Sequence, residues 1–160
     1  MRDLVDLMTR WPLEDSPEEL ADWLNNRLSG TLMSPMRIHA VSVSPEGSIS
    51  ELTVSPVIST PTGYVHAGAI VSLADSNATW TVIAALGGDL TSPTGFPVAT
   101  NISCQLVSNI NKGKLVAESK IIHQGRKLIT VETRVRNEAS LLLALITTTH
   151  YVRDRPSGES

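Results

Sequence analysis

The sequence predicts an α+β domain with one antiparallel sheet and a long central helix, and three observations carry that prediction. Apolar residues follow helical spacing up to Leu28, then switch to a twofold period from Met36. Residues 67–86 form an uninterrupted helical stretch with a single charged residue. Residues 98–155 contain no proline and divide into four β-rich runs.

The first element is a helix that opens at Ser16-Pro17-Glu18-Glu19, with a Ser N-cap, Pro at the first helical position and Glu at the capping-box position. Leu20, Trp23, Leu24 and Leu28 form its apolar stripe, and Gly30 fits its stop. Residues 2–9 are expected to add a short helical turn. The runs 37–43 and 48–54 alternate around Pro45-Glu46-Gly47, which reads as a hairpin. A proline-bearing loop, 55–63, leads to the long helix Ala67–Leu86, closed by Gly87-Gly88, and a second loop holds Pro93 and Pro97. The β-rich runs lie near 98–109, 114–123, 127–137 and 141–152, and are expected to form a four-stranded meander. In the third, Ile129, Val131, Thr133 and Val135 face one way, and Thr130, Glu132, Arg134 and Arg136 the other. This organisation divides the chain into a helical extension (1–35), the domain proper (36–152) and a polar tail (153–160).

Composition narrows the function. The chain has 160 residues and a net charge of -3, and its longest basic run is Arg126-Lys127, so it offers no surface for neutralising nucleic-acid phosphates. A single cysteine, Cys104, makes neither an intrachain disulfide nor a thiolate metal site, and the four His are scattered. Asp3 and Asp6 interrupt any signal-peptide core, and no apolar run reaches the ~18 residues of a membrane span. The expectation is a soluble cytoplasmic protein without metal or cofactor. Cys104 and Trp80 read as packing residues, and His39, His123 and His150 as structural ones.

The central helix holds the candidate chemistry. A surface helix of this length normally carries several Lys and Glu, whereas this one carries only Asp75, so it is expected to be covered on most sides. Ile70, Leu73, Ala74, Asn77, Thr81 and Ala84 fall on one face; Ser72, Asp75, Ser76 and Thr79 fall on another. At the start of the helix, His66-Ala67-Gly68 presents backbone N–H groups that can bind developing negative charge. Asp75 lies ~12 Å further along the axis at 1.5 Å per residue. That separation is too great for one helix to bring both groups to one reacting atom, and it predicts a site completed by a second copy of the chain.

These residues resemble the hotdog-fold thioesterases, specifically the phenylacetate-degradation branch. The resemblance rests on Gly63, His66-Ala67-Gly68 and Leu73-Ala74-Asp75, with Asp nine positions after His, and on the turn His123-Gln124-Gly125-Arg126. It covers roughly residues 36–152. It implies hydrolysis of an acyl-CoA thioester, with Asp75 as nucleophile or general base and the Ala67 N–H polarising the thioester carbonyl. By the same resemblance His66 shapes the site, Thr79 orients the water or the carboxylate, and the site lies at the interface of a homo-oligomer, a dimer or a dimer of dimers (homotetramer).

Gly68, Thr60 and Ser76 are assigned to substrate binding, and Arg126 and Lys127 are candidates for gripping CoA phosphates. Two positions depart from the family pattern: Ala67 stands at the first motif glycine, and Thr60 where many members carry Asn. The alternatives are a non-catalytic acyl-CoA binding or sensing module and, ranked last, a hydratase relative. The helix carboxylate argues against the first.

Overall fold

The computed structural model describes residues 16–87 and 96–152; the expected turn at residues 2–9, the loop at Pro93 and the polar tail lie outside them. Helix α1 spans Pro17–Asn25 and a short helix α2 spans Met33–Met36. Strands β1 (Ile38–Ser44) and β2 (Gly47–Thr53) follow, then helix α3 (Ala67–Ala85) and strands β3 (Val98–Leu106), β4 (Lys114–Gln124), β5 (Leu128–Asn137) and β6 (Leu142–Tyr151). The capping box of α1 is formed: the Ser16 hydroxyl accepts from the Glu19 N–H (3.3 Å) and the Glu19 carboxylate accepts from the Ser16 N–H (2.9 Å). Helix α3 ends one residue earlier than expected, with Leu86 as its cap and Gly87 in the left-handed region at φ 85°.

One antiparallel sheet runs in the order β1-β2-β4-β5-β6-β3, and α3 touches all six strands. The sheet therefore wraps around the helix, the hotdog arrangement. The expected four-stranded meander is corrected. Only β4, β5 and β6 follow one another in space, while β3 lies at the far edge and pairs with β6. Alternation in sequence marks a strand without naming its neighbour. Residues 107–113 make a connection too long to force a hairpin, and it is tied instead to the loop before α3 by Val65 N–H to Ile110 O (3.0 Å) and Asn109 Nδ2 to Val65 O (2.9 Å).

Burial follows the periodicities. The six residues expected on the sheet side of α3 are all buried, as are Ile129, Val131, Thr133 and Val135. The opposite face of α3 is covered too: Trp80 and Ile83 are each 4% exposed. Leu20, Ala21, Leu24 and Leu28 of the N-terminal segment join the same core as the sheet. Cys104 is half-buried, less than expected, because every other residue of its edge strand is exposed.

A polar seam crosses the core. The Asn77 amide donates to Ser48 O (2.8 Å) and to the Ser119 hydroxyl (2.7 Å), which also bonds Thr133 (2.7 Å); the Thr81 hydroxyl bonds that of Ser48 (2.9 Å). These bonds anchor α3 to β2 and β4 and satisfy the Asn77 amide nitrogen and the Thr81 and Ser119 hydroxyls, each of which would otherwise cost ~1–3 kcal/mol; the Asn77 Oδ1 is buried without a partner among the described residues.

His150 is fully buried on β6, with Nε2 3.0 Å from the Thr148 hydroxyl. Burial lowers its pKa from 6.5 to about 4. Between these values the unfolded chain binds a proton that the folded chain does not, so stability falls as pH falls through this window, by about 3 kcal/mol in all. Denaturation midpoints from pH 7 to pH 4 are expected to decline less steeply in His150→Leu than in the wild type; parallel profiles would refute the assignment.

Candidate active site

Asp75 sits in the middle of α3, half-buried, with Ser76 beside it and Thr79 one turn on. All three line one cavity of about 430 Å3. Trp80 and Ile83 extend the same wall along α3, Trp23, Leu24 and Leu28 close the cavity from the N-terminal segment, and Phe96 to Ala99 form the side toward β3. Asp75 Oδ1 is buried and has no hydrogen-bond partner among the described residues. Desolvation raises the Asp75 pKa above its ordinary value. A carboxylate held in this way is more basic than one in water.

The start of α3 is built differently. His66 is its N-cap, and Nδ1 of the ring accepts from the Gly68 N–H at 2.9 Å. A Cβ on Gly68 would stand 3.0 Å from that nitrogen, so a glycine lets the ring close over the first turn. The Ala69 N–H bonds His66 O at 2.9 Å. Among the described residues the Ala67 N–H is left without an acceptor in this turn, and Ala67 is exposed. With Nδ1 accepting, the neutral His66 ring carries its proton on Nε2.

The loop before α3 holds this end in place through His66 N–H to Ile58 O (2.8 Å). Thr60 is spent on the loop itself: its hydroxyl donates to Tyr64 O (3.1 Å) and lies 2.8 Å from the Thr62 hydroxyl. Thr60 lines a separate depression with Pro61, Gly63 and Asn111. Arg126 and Lys127 are exposed at the β4–β5 turn. The single chain thus brings Asp75, Ser76 and Thr79 together. It leaves His66, Ala67, Gly68, Thr60, Arg126 and Lys127 outside that cavity.

Sequence reasoning missed the half of the cavity contributed by Trp23, Arg27, Met33 and Phe96. The stripe of α1 signalled packing, but nothing in it indicated which part of the domain it packs against. Trp80, read as packing, is both packed and part of the cavity wall. No helix of the described residues is long and apolar enough to cross a membrane.

The model of the thioesterase superfamily matches residues 62–144, which include all of α3. Among solved structures, a thioesterase from Haemophilus influenzae is similar with a TM-score of 0.76 and 19% identity, over 88% of this chain and 94% of that one. A mutant thioesterase from Pseudomonas aeruginosa gives 0.76 and 18%, over 91% and 99%. The E. coli PaaI protein from the phenylacetic acid degradation operon gives 0.66 and 17%, over 84% and 94%. At such identities these structures establish the fold alone. No curated protein sequence matches. The family match spans the helix that carries the half-buried carboxylate and most of the sheet around it, and on that ground the chain belongs to the thioesterase superfamily, as a thioester hydrolase of hotdog fold.

Proposed function

We propose that the protein hydrolyses an acyl-CoA thioester to the free acid and CoA, with Asp75 attacking the carbonyl carbon or drawing the proton from an attacking water. The observation that carries this reading is the buried, unpartnered Asp75 oxygen in the wall of a largely apolar cavity. Such a position costs free energy that a solvent-facing Asp would avoid, and desolvation raises its basicity. In the base route, oxygen from water bonds to the acyl carbon, the C–S bond breaks, and the thiolate of CoA leaves and takes up a proton. The nucleophile route passes through an acyl-Asp75 anhydride that water opens to the same products. Neither route calls for a cofactor.

Stabilising the developing oxyanion falls to the Ala67 N–H, whose loss would cost ~3 kcal/mol in the transition state. His66 shapes that turn, and Thr79 orients the carboxylate or the water. Ser76, Gly68 and Thr60 belong to the substrate-binding surface, and Arg126 and Lys127 meet the CoA phosphates. Because Ala67 and Asp75 lie eight residues apart on one helix, ~12 Å along its axis, a second copy must supply one of them.

The two sheet edges favour a particular partner surface. The edge strand β1 is blocked by α1, where the Asn25 side chain accepts from Ala40 N–H (2.9 Å) and donates to Ala40 O (2.8 Å). Strand β3 has no such cover among the described residues, and Val98, Ile102 and Leu106 are 57%, 41% and 50% exposed. Pairing through β3 gives a homodimer, and a dimer of dimers gives a tetramer.

Three outcomes are expected. Asp75→Asn lowers turnover by ~10²–10⁴-fold with the fold intact; near-normal rates on a good acyl-CoA would sink the assignment. The same variant melts at a higher temperature at pH 7, because a raised carboxylate pKa penalises the ionised form above the unfolded value, and the advantage disappears at pH values below that of an ordinary Asp. Ile102→Glu on the open edge yields monomers by light scattering and loses activity with the oligomer; an active monomer would refute the shared site.

A further inference from the structure

The family match begins at residue 62, yet much of the cavity beside Asp75 comes from the segment before it. Trp23, Leu24, Leu28, Thr31 and Met33 line the cavity opposite α3. Helix α1 is held there by its buried face, in which Leu20, Ala21 and Leu24 join the main core, and by the paired bonds of Asn25 to Ala40. Trp23 is fixed in turn by Arg27, whose guanidinium lies 3.9 Å from the indole centroid and whose Nη1 donates to Trp23 O at 3.0 Å. The cation that borders the cavity is therefore engaged with the wall itself. Asp75 is the only acidic residue among the described residues that line it.

We propose that this cavity is the acyl pocket, that it takes a wholly apolar acyl group (aryl or medium-chain alkyl), and that Trp23 is the residue of α1 that selects it. The proposal rests on the thioester reading above and names its substrate class. A volume of about 430 Å3 lies in the lower part of the ~300–1,000 Å3 range of small-molecule sites, room for the acyl group while the bulk of CoA stays outside. The apolar walls, from Trp23 and Leu28 across to Trp80, Ile83 and Phe96, reward the burial of hydrocarbon, and the guanidinium of Arg27 at their border is stacked on Trp23 and bonded to its carbonyl. The thioester carbon would lie at the end bearing Asp75, Ser76 and Thr79.

The test compares kcat/KM for acetyl-, octanoyl-, phenylacetyl- and glutaryl-CoA. Wild type is expected to favour octanoyl- or phenylacetyl-CoA over both acetyl- and glutaryl-CoA, and Trp23→Ala to reduce the octanoyl-to-acetyl ratio by about 10-fold or more. Phe96→Ala, at a residue 41% exposed and so without a core to disturb, is expected to reduce the same ratio and decides the matter if Trp23→Ala does not fold. An unchanged ratio in the folded variants would overturn the proposal. So would a preference for glutaryl-CoA, which would make Arg27 the reader of a terminal carboxylate. Failure of the thioester reading is separately visible. If wild type releases no thiol from any ester, that reading falls, and calorimetry on the same protein then tests the pocket alone. Octanoyl-CoA binding at least about 10-fold more tightly than CoA would support the pocket, and equal affinities would end it.

Discussion

The structure depends on fixing a nearly uncharged helix inside a sheet through a few buried polar bonds. Helix α3 is covered on the sheet side and, over Trp80 and Ile83, on the opposite side as well. Hydrophobic burial alone would let such a helix slide or rotate, since one apolar contact serves about as well as the next. The Asn77 amide removes that freedom by bonding Ser48 O and the Ser119 hydroxyl at once, and Thr81 repeats the tie one turn later. Two residues before Asn77 stands Asp75. The bonds that fix the rotation of α3 therefore fix the direction of the carboxylate, and the chemistry inherits its geometry from the core.

Much of this was legible in the sequence, for identifiable reasons. The scarcity of charge between Ala67 and Leu86 announced an enclosed helix, and Ser16-Pro17-Glu18-Glu19 announced a capped one; both signals are local, and both are seen in the structure. The partition of α3 into an apolar face with Asn77 and a hydroxyl-rich face with Asp75 also follows from residue spacing alone. What was not legible is non-local. The pattern of residues 98–106 is that of a strand wherever the strand is placed, so its position at the far edge beside β6 had no signature. The cavity shared by Trp23 and Thr79 joins residues more than fifty positions apart, and Trp23 reads equally well as a packing residue. The separation of His66 from Asp75, by contrast, could be read from the helical rise alone.

The N-terminal segment has two roles that come from one placement. Packing α1 on β1 adds Leu20, Ala21 and Leu24 to the core, and the same placement brings Trp23 and Leu28 to the cavity wall. Hydrophobic contact secures the helix, and the Asn25 amide sets its register by imitating a neighbouring strand at Ala40. A helix attached by contact alone would leave the cavity wall free to drift.

That imitation has a further consequence for how many copies can assemble. A sheet with two open ends can add subunits without limit, and the result is a fibre. Where Asn25 occupies the main-chain groups of Ala40, a strand of another copy cannot pair with them, and the dimer proposed above would use the exposed edge at β3 instead. Two such chains meeting end to end use up both growing ends and leave a finite, symmetric object.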